Sequence, residues 1–296
     1  MEEQSMEELI SRAEALIEAL PYMQRFSGQY FVVKYGGQAM VSSEMIATVV
    51  ADIVLLQHVG IKPVLVHGGG KEIDELMGKL GKEPRFVNGL RVTDDETMEI
   101  AEMVLQGKVN RRIVALVNRC GARAVGLSGS DAGLFKALRK PPFAGPDGES
   151  VDLGRVGEIK ELDTALVKTL CESGYIPVVS SIGADPAWES LNINADHAAG
   201  ELAGALQAAK LIILTDVEGV CRQTEGDGLI SQIKEKEIRA LIEAGQINGG
   251  MIPKVEACLR ALKKGVSRTH IIDGRRKHAL ILETFTDTGI GTMVTL

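Results

Sequence analysis

Two glycine clusters give this chain its clearest chemical signal. Each follows a short apolar run typical of a buried strand, and they read Lys34-Tyr35-Gly36-Gly37 and His67-Gly68-Gly69-Gly70. Where a strand ends in glycines and a helix begins, unpaired backbone N–H groups and the positive end of the helix dipole favour an anion. Each cluster therefore predicts a site for a phosphate or a carboxylate, and two clusters suggest group transfer between two anions. The alternative is that these glycines only make tight turns.

The common nucleotide-binding motifs are absent from the sequence. A P-loop requires glycine five residues before the Gly of Gly-Lys-Ser/Thr, whereas Leu65 holds that place before Gly70 and Glu72 replaces the hydroxyl residue. The segment Gly289-Ile290-Gly291 is not a dinucleotide fingerprint, because Val294 stands where its third glycine should be. The sequence therefore excludes a P-loop enzyme and argues against nicotinamide chemistry.

Three polar motifs in the C-terminal half could hold the ligands of such a reaction. Asn192 and Asn194 precede Asp196, a natural first-turn carboxylate of an Ala-rich helix. Thr215-Asp216 ends an apolar strand, and α/β sheets bind nucleotides outside the carboxyl ends of their strands. Lys254 lies just inside a helix that begins after two glycines. A plain helix cap, an ordinary strand end and a surface lysine are the alternatives.

The composition is that of an ordinary globular protein. The 296 residues are 45% hydrophobic and 25% charged, which suffices for a well-buried core. The net charge of −7 argues against a general nucleic-acid partner, and no apolar run approaches the roughly 18 residues that span a bilayer. The four cysteines form no C-x-x-C pair, so we expect no disulfide or zinc site. Because the N-terminus begins with acidic residues rather than a basic signal sequence, we expect a cytoplasmic protein without a membrane partner.

Strand and helix patterns alternate along the chain and would position these motifs. Helices are predicted at 43–57, 196–208, 235–244 and 253–264, and strands at 31–34, 63–66, 176–180, 211–215 and 269–272. The stretch 126–160 is typical of short strands or hairpins at an edge. This alternation predicts an α/β fold with a mainly parallel sheet and helices on both faces. We divide it into an N-terminal helix (1–26), a first lobe (27–208) and a second lobe (209–296).

Two capping boxes indicate helix starts. Ser5-Met6-Glu7-Glu8 opens a helix that Pro21 is expected to interrupt. Its apolar stripe consists of Leu9, Ile10, Ala13, Leu16, Ile17 and Leu20. Thr93-Asp94-Asp95-Glu96 opens a second helix, through Leu105. The N-terminal helix could pack on its own domain or on another subunit, and the sequence alone does not choose.

Taken together, these motifs resemble the acetylglutamate kinase branch of the amino acid kinase family, over residues 28–296. The matching motifs, in the family's order and spacing, are Lys34-Tyr-Gly-Gly37, His67-Gly-Gly-Gly70, Asn88-Gly-Leu-Arg-Val-Thr93, Asn192-Ile-Asn-Ala-Asp196, Thr215-Asp-Val-Glu-Gly219 and Gly250-Met-Ile-Pro-Lys254. The resemblance implies a three-layer αβα sandwich whose first lobe binds N-acetyl-L-glutamate and whose second lobe binds ATP. It also implies phosphoryl transfer to the substrate's γ-carboxylate. Gln38 and Ser130 depart from the family pattern, which usually has Asn and Lys there.

The same resemblance assigns roles to individual residues. Lys34 and Lys254 would neutralise the transferred phosphoryl group, and Asp196 would orient both lysines. Backbone N–H groups of Gly37 and Gly69 would bind that group. Arg91 would clamp the substrate's α-carboxylate, with Gly69, Gly70 and Asn192 completing the substrate site. The implied nucleotide site comprises Thr215, Asp216, Val217, Glu218, Gly219, Val220, Cys221, Gln246, Ile247 and Asn248. Mg²⁺ would bridge the ATP phosphates without a protein cage of its own.

The resemblance extends to members of the branch that arginine inhibits, which share the N-terminal helix. It implies L-arginine as an inhibitor, bound by Tyr22, Lys210, His270, Glu283, Gly289 and Gly291. It further implies a homohexamer built as a trimer of dimers through the N-terminal helices. A signalling protein of the PII kind is a partner of some members.

Two alternatives stay open at this point. The chain could be another kinase of the family, such as an aspartate, glutamate 5- or uridylate kinase, or a non-catalytic arginine or nucleotide sensor on the same fold. Arg91 within Asn-Gly-Leu-Arg-Val-Thr favours the acetylglutamate branch. Retention of Lys34 and Lys254 together with Asp196 argues against a sensor.

Overall fold

One eight-stranded sheet organises the fold. The computed structural model describes residues 5–37, 43–87, 89–144, 149–222 and 228–296. From one edge to the other, the strands are Gln232–Lys234 (β14), Thr292–Thr295 (β16), Arg268–Asp273 (β15), Lys210–Thr215 (β13), Tyr30–Tyr35 (β1), Lys62–His67 (β2), Ile176–Ser180 (β10) and Ala124–Ser128 (β5). Neighbouring strands run parallel except β15 and β16, which are antiparallel. The predicted mainly parallel sheet is confirmed.

Helices cover both faces of this sheet. They are Met6–Phe26 (α1), Ser43–His58 (α2), Gly70–Lys79 (α3), Asp95–Glu102 (α4), Arg111–Arg119 (α5), Ala165–Glu172 (α6), Ala195–Leu206 (α7), Glu235–Glu243 (α8), Met251–Lys263 (α9) and Ala279–Phe285 (α10). Because side chains alternate along a strand, Val33 and Tyr35 of β1 enter one apolar cluster and Val32 enters the other. The two clusters make the expected three-layer αβα sandwich.

Four short strands form a second sheet beside the first. Their order is Ser190–Asn192 (β12), Ile182–Ala184 (β11), Phe135–Arg139 (β6) and Gly157–Leu162 (β9). Two small hairpins accompany it, Phe86–Val87 with Leu90–Arg91 (β3 and β4) and Phe143–Ala144 with Ser150–Val151 (β7 and β8). The predicted short strands and hairpins do occur within 126–160, while β5 at its start is the edge of the main sheet.

The prediction that Pro21 interrupts the N-terminal helix is wrong. Helix α1 continues through Pro21 to Phe26. Proline inside a helix costs about 3 kcal/mol, because it removes a hydrogen bond and crowds the preceding turn. Burial of Ala19 and Phe26, with the Phe26 ring packed edge-on against Phe31 of the sheet, offsets that cost. Tertiary packing therefore overrides the local signal.

The second capping box is also wrong by one residue. Asp94 rather than Thr93 caps α4, since its carboxylate accepts the N–H of Thr97 at 2.8 Å. The Thr93 hydroxyl instead donates to the carbonyl of Arg91 at 2.9 Å. After α4 the chain does not continue as an α-helix through Leu105 but widens into a π-helix, Met103–Asn110. This element lies behind the second glycine cluster and becomes important below.

Both proposed lobes share the central sheet. Strand β1 pairs directly with β13, with Val33 opposite Ile212, so the sheet crosses the boundary placed near residue 208. The division into lobes stays a prediction. Within the described ranges, no helix has the length and apolar character needed to cross a membrane.

Candidate active site

A buried group of three charges lies where the first strand ends. The Nζ atom of Lys34, the penultimate residue of β1, lies 2.8 Å from Oδ1 of Asp196, and Nζ of Lys254 lies 2.9 Å from Oδ2. Asn194 caps α7 by accepting the N–H groups of Asp196 and His197, which places Asp196 in the first turn. Lys254 extends from the first turn of α9. Three segments distant in sequence thus meet as the resemblance implied.

Burial and close charges shift the pKa values of Asp196 and Lys34. Burial raises the pKa of Asp196, but the two lysines outweigh it and bring that pKa down to about 2. Burial lowers the pKa of Lys34, and the Asp196 carboxylate opposes that change. Asp196 is therefore ionised at neutral pH. One carboxylate between two ammonium groups leaves a formal charge of +1 for a ligand to meet.

Both glycine clusters line the cavity in front of these charges. The cavity has a volume of about 220 Å³, and Gly36, Gly37, Gly69 and Gly70 form part of its wall. A Cβ atom at Gly36 would lie 3.0 Å from the Nζ of Lys34, so the ammonium group lies directly on side-chain-free backbone. The cavity therefore joins backbone N–H groups to a positive charge, which is the environment of an anion site.

Arg91 forms the opposite wall of the same cavity. Its guanidinium donates to Oδ1 of Asp74 at 2.5 Å and to the carbonyl of Gly70 at 3.1 Å, and it stacks over the Phe86 ring at 4.7 Å. Asp74 and Phe86 were missed in the sequence. Asp74 is four residues after Gly70, one helical turn into α3, and that spacing could have indicated it. These partners hold a planar, bidentate donor in place inside the cavity.

Asn192 completes this wall. Its amide donates to the Thr93 hydroxyl at 3.1 Å, and its backbone pairs with Arg155. Of the two departures from the family pattern, Ser130 donates to the Ser128 hydroxyl at 2.8 Å, while Gln38 lies outside the described residues. Asn88 also lies outside them. The substrate-site residues Gly69, Gly70, Arg91 and Asn192 are thus brought together around one cavity.

The predicted nucleotide residues lie in two loops. Thr215 ends β13 and residues 216–221 follow it, whereas 246–248 precede α9, the helix that carries Lys254. Val220 and Ile247 are buried among apolar side chains. The N–H of Val220 donates to the Thr292 hydroxyl at 2.8 Å. These two residues therefore anchor the loops to the apolar core. The assignment of the loops to a nucleotide stays a prediction.

A second polar cavity, of about 230 Å³, lies at the amino edge of the sheet. All six residues predicted for arginine line it: Tyr22, Lys210, His270, Glu283, Gly289 and Gly291. Nδ1 of His270 lies 2.6 Å from Oε1 of Glu283, and Nζ of Lys210 donates to the Glu283 carbonyl at 3.0 Å. The Tyr22 hydroxyl bonds to Asp287, which joins the end of α1 to this cavity. Sequence-distant residues again meet as expected.

Burial and close partners shift the pKa values of the titratable groups in this second cavity. Burial lowers the pKa of Lys210 to about 8 and also lowers the pKa of His270. Burial raises the pKa of Glu283, but the His270 ring and the N–H of Ile290 outweigh it and lower that pKa. Gly289 has φ +61, and a Cβ there would lie 3.0 Å from the Glu283 carboxylate. The turn at Gly289 thus requires glycine for its backbone and for the space beside that carboxylate.

Comparison with known proteins agrees with this geometry. The amino acid kinase family profile matches residues 29–273. The chain is 56% identical to an acetylglutamate kinase of Desulfitobacterium hafniense, covering 96% of this chain and 97% of that one. It is 55% identical to an acetylglutamate kinase of Pelotomaculum thermopropionicum, covering 96% and 97% of the two chains.

A solved structure shares the architecture at lower identity. N-acetylglutamate synthase from Neisseria gonorrhoeae, complexed with coenzyme A and N-acetyl-glutamate, superposes with a TM-score of 0.83 at 28% identity over 96% of this chain. The match spans 63% of the synthase chain, so the synthase is the longer protein. A sequence identity above 50% over nearly the full chain, together with the family profile, shows which family the chain belongs to. The chain belongs to the amino acid kinase family and, within it, to the acetylglutamate kinases.

Proposed function

We propose that this chain transfers the γ-phosphoryl group of ATP to the γ-carboxylate of N-acetyl-L-glutamate, yielding N-acetyl-L-glutamyl 5-phosphate for arginine biosynthesis, and that L-arginine inhibits it. The observation that carries the proposal is the group Lys34, Asp196 and Lys254, of which Lys34 and Asp196 line the same cavity as Arg91. One end of that cavity suits a carboxylate and the other suits a phosphoryl group.

The reaction needs charge neutralisation rather than proton removal. A carboxylate with an ordinary pKa of about 4.3 is already ionised at pH 7, so no general base is required. The difficulty is that one anion must approach another. Lys34 and Lys254 neutralise the negative charge that spreads over the transferred phosphoryl group. Glycine N–H groups add hydrogen-bond donors, and ordering them costs no side-chain entropy. Asp196 keeps the two ammonium groups apart and aimed, and takes no proton in the reaction.

Arg91 would select the substrate. Its partners Asp74 and Phe86 fix the guanidinium before substrate arrives, so the α-carboxylate of N-acetyl-L-glutamate meets a rigid fork. Asn192 can bind the acetylamide, since its side chain carries both a donor and an acceptor. The distance from the Arg91 guanidinium to Lys34 and Lys254 then selects the substrate by length. Only an acid of the right length places its second carboxylate in line for phosphoryl transfer.

ATP fits the donor set at the other end of the cavity. The ammonium of Lys34 lies against the bare backbone of Gly36, and the space that a Cβ would fill there is available to phosphate oxygens. Lys254 approaches from α9, next to the predicted nucleotide loops. When bound with the nucleotide, Mg²⁺ would neutralise part of the negative charge of its phosphates.

An assay of ADP release tests the activity. We expect turnover with N-acetyl-L-glutamate and little with L-glutamate or L-aspartate, because both lack the acetyl group that Asn192 and the cavity accommodate. Equal turnover with aspartate would instead identify another kinase of the family. Absence of turnover with all three acids, with arginine still bound, would identify a sensor.

The second cavity supports the arginine part of the proposal. Glu283 can accept a guanidinium, while Lys210 and the N–H groups of the Gly289 turn can bind a carboxylate. The Neisseria synthase has also been solved complexed with coenzyme A and L-arginine, and that structure superposes with a TM-score of 0.79 at 27% identity over 96% of this chain. Since Tyr22 links α1 to this cavity through Asp287, occupancy there can act on the N-terminal helix.

The exposed face of α1 supports assembly into a homohexamer. Its apolar residues are each 44% or more exposed in a single chain: Met6, Leu9, Ile10, Leu16, Ile17 and Leu20. Pairing of this face with the same helix of a second subunit would bury it and join dimers into a trimer of dimers. A cytoplasmic location and docking of a PII-type protein stay predictions.

Deletion of residues 1–24 tests both regulatory claims. We expect the truncated chain to be an active dimer that arginine no longer inhibits, because the deletion removes the apolar face and Tyr22. Light scattering measures the assembly, and the ADP-release assay measures inhibition. A full-length dimer in solution, or inhibition that survives the deletion, would contradict this part of the proposal.

A further inference from the structure

A chain of buried hydrogen bonds runs from the π-helix to the second glycine cluster. The amide nitrogen of Asn110, the last residue of the π-helix, lies 2.8 Å from the carbonyl oxygen of Val178 and 3.1 Å from Nε2 of His67. Nδ1 of His67 lies 3.0 Å from the carbonyl oxygen of Gly68. His67 is 0% exposed and Asn110 is 3% exposed, so water cannot replace these bonds without opening the core.

The chemistry of these groups fixes the position of the ring proton. A carbonyl oxygen only accepts, so the Asn110 atom that faces Val178 must be the NH₂ group. Its other hydrogen is shared between Nε2 of His67 and the carbonyl oxygen of Leu127, which lies 3.4 Å away. An N–H on Nε2 would meet this NH₂ group donor to donor, so Nε2 accepts. The ring proton is then on Nδ1, where it donates to the Gly68 carbonyl. Burial lowers the pKa of His67 to about 4, in agreement with a neutral ring at pH 7.

This hydrogen bond orients one peptide group of the active site. In a trans peptide the C=O of one residue and the N–H of the next point in opposite directions, and the described chain contains no cis peptide bond. With the Gly68 carbonyl held against the His67 ring, the N–H of Gly69 points away from that ring, and Gly69 itself lines the cavity. The N–H of Gly68 is not free for a ligand, because it donates to the Tyr35 carbonyl at 3.3 Å.

We propose that His67 and Asn110 are positioning residues for phosphoryl transfer, which hold the N–H of Gly69 toward the transferred group. The inference rests on the proposed function. Neither side chain reaches the substrate, and both act through the Gly68–Gly69 peptide. A hydrogen-bond donor whose direction is fixed before the reaction stabilises developing charge without reorganisation.

Packing of the π-helix supports this role. A Cβ atom at Gly69 would lie 2.8 Å from Cδ2 of Leu105 and 3.1 Å from Cγ2 of Val109, so the π-helix packs directly on the Gly69 backbone. A Cβ at Gly126 would lie 1.9 Å from Oδ1 of Asn110, so the neighbouring strand also leaves room for this amide. π-Helical turns frequently occur at functional sites. Here the wide turn brings apolar side chains under Gly69 and an amide under His67.

Two substitutions of His67 separate the positioning role from a packing role. In His67→Asn the side-chain amide can occupy the place of Nδ1 and still donate to the Gly68 carbonyl. In His67→Gln the amide reaches the place of Nε2 instead and leaves that carbonyl without its donor. His58→Gln is the matched control, because His58 is exposed on α2 and bonds only to the Val54 carbonyl of its own helix.

We expect His67→Gln to lower kcat by about tenfold or more at nearly unchanged KM, since small displacements of reacting groups have effects of this size. His67→Asn should keep kcat within about threefold of wild type, because its carbonyl contact is preserved. Melting temperatures are measured for all variants. Equal kcat in the Asn and Gln variants, or losses that follow the melting temperature alone, would overturn the proposal.

Neutron diffraction on crystals of the full chain gives a readout that needs no variant. We expect the His67 deuteron on Nδ1 and none on Nε2, and a deuteron on Nε2 would overturn the proposal even if no variant folds. The failure of this inference is distinguishable from failure of the proposed function. A wild-type enzyme that does not phosphorylate N-acetyl-L-glutamate refutes the function, whereas an active enzyme with the wrong tautomer refutes only the positioning role.

Discussion

The two polar cavities lie at opposite edges of the same sheet and differ in the source of their charge. At the carboxyl edge, Lys34 and Lys254 enclose one carboxylate, and glycine N–H groups add further positive character. At the amino edge, Lys210, Arg25 and Arg268 line the cavity together with the carboxylates of Glu283 and Asp287, so side chains of both signs meet there. Helices that follow parallel strands begin at the carboxyl edge, so only that edge receives their N-termini.

This contrast teaches how one sheet can serve two kinds of ligand. The carboxyl edge gains part of its charge from the backbone and therefore suits groups that become more negative during a reaction. The amino edge must build its site from side chains, and side chains of both signs suit a zwitterion such as an amino acid. Substitutions at the first edge should thus change turnover, and those at the second should change regulation.

The largest effect should come from the two lysines at the carboxyl edge. We expect Lys34→Ala or Lys254→Ala to lower kcat by roughly 10²-fold or more, the scale on which removal of one preorganised stabiliser acts. Steady-state kinetics should show smaller changes in either KM. Lys236→Ala, at an exposed position on α8, is the control. Near-full kcat in either lysine variant would mean that the carboxyl edge does not perform the chemistry.

The next effect concerns the amino edge. We expect Glu283→Gln to raise the arginine concentration needed for half-inhibition roughly 10- to 100-fold, because a hydrogen bond to a charged group is worth about 1.5–3 kcal/mol. Glu243→Gln, at the exposed end of α8, is the control. Inhibition curves measure the effect. An unchanged inhibition curve would mean that arginine does not bind in this cavity.

A smaller effect should appear in the pH dependence of stability. The pKa of His67 is lowered to about 4 by burial, whereas the unfolded chain titrates near 6.5, so the unfolded state binds more protons between these values. Stability therefore falls as pH decreases through that window. Between pH 7 and pH 5 the His67 share is about 2 kcal/mol. Urea unfolding of wild type and His67→Asn at both pH values measures it.

His270 provides the comparison between the edges. Burial lowers its pKa too, but Glu283 opposes that shift, whereas His67 faces no carboxylate. Substitution of His270 should therefore reduce the loss of stability at acidic pH by less than substitution of His67 does. A larger contribution from His270 would show that the amino edge is the more strongly desolvated of the two.

The smallest effect is expected at Arg91. We expect Arg91→Lys to raise KM for N-acetyl-L-glutamate about tenfold and to leave KM for ATP nearly unchanged, because lysine replaces a bidentate fork by one point of contact. Kinetics with each substrate varied in turn measure this split. A comparable rise in both KM values would place Arg91 outside the substrate site.

Much of the sheet could be predicted from the sequence, because strand, glycine and helix signals are local. A few adjacent residues were enough to predict where β1 and β2 end and where the motifs after them begin. The approach of Asp196 to Lys34 and Lys254 could not be worked out in this way, since it depends on three distant segments. The family resemblance supplied that expectation, and the geometry now agrees with it.

Each feature that the sequence analysis predicted wrongly or missed has a physical cause. Pro21 was expected to end α1, but burial of Phe26 draws the helix onward. The π-helix was missed because Leu105 and Val109 are spaced four residues apart, as they would be in an ordinary α-helix. Asp74 was missed because an acidic residue within a helix is most often a solvated surface group, and only its contact with Arg91 distinguishes the two roles.

The π-helix also limits how this part of the chain can change in length. Each α-helical residue turns the chain by about 100°, so loss of one residue from 103–109 would rotate Asn110 away from His67 and move Leu105 relative to Gly69. Substitutions of similar size in this segment preserve the register, whereas a single deletion destroys it. Insertions and deletions should accordingly be far more damaging between residues 103 and 110 than in the surface turns around them.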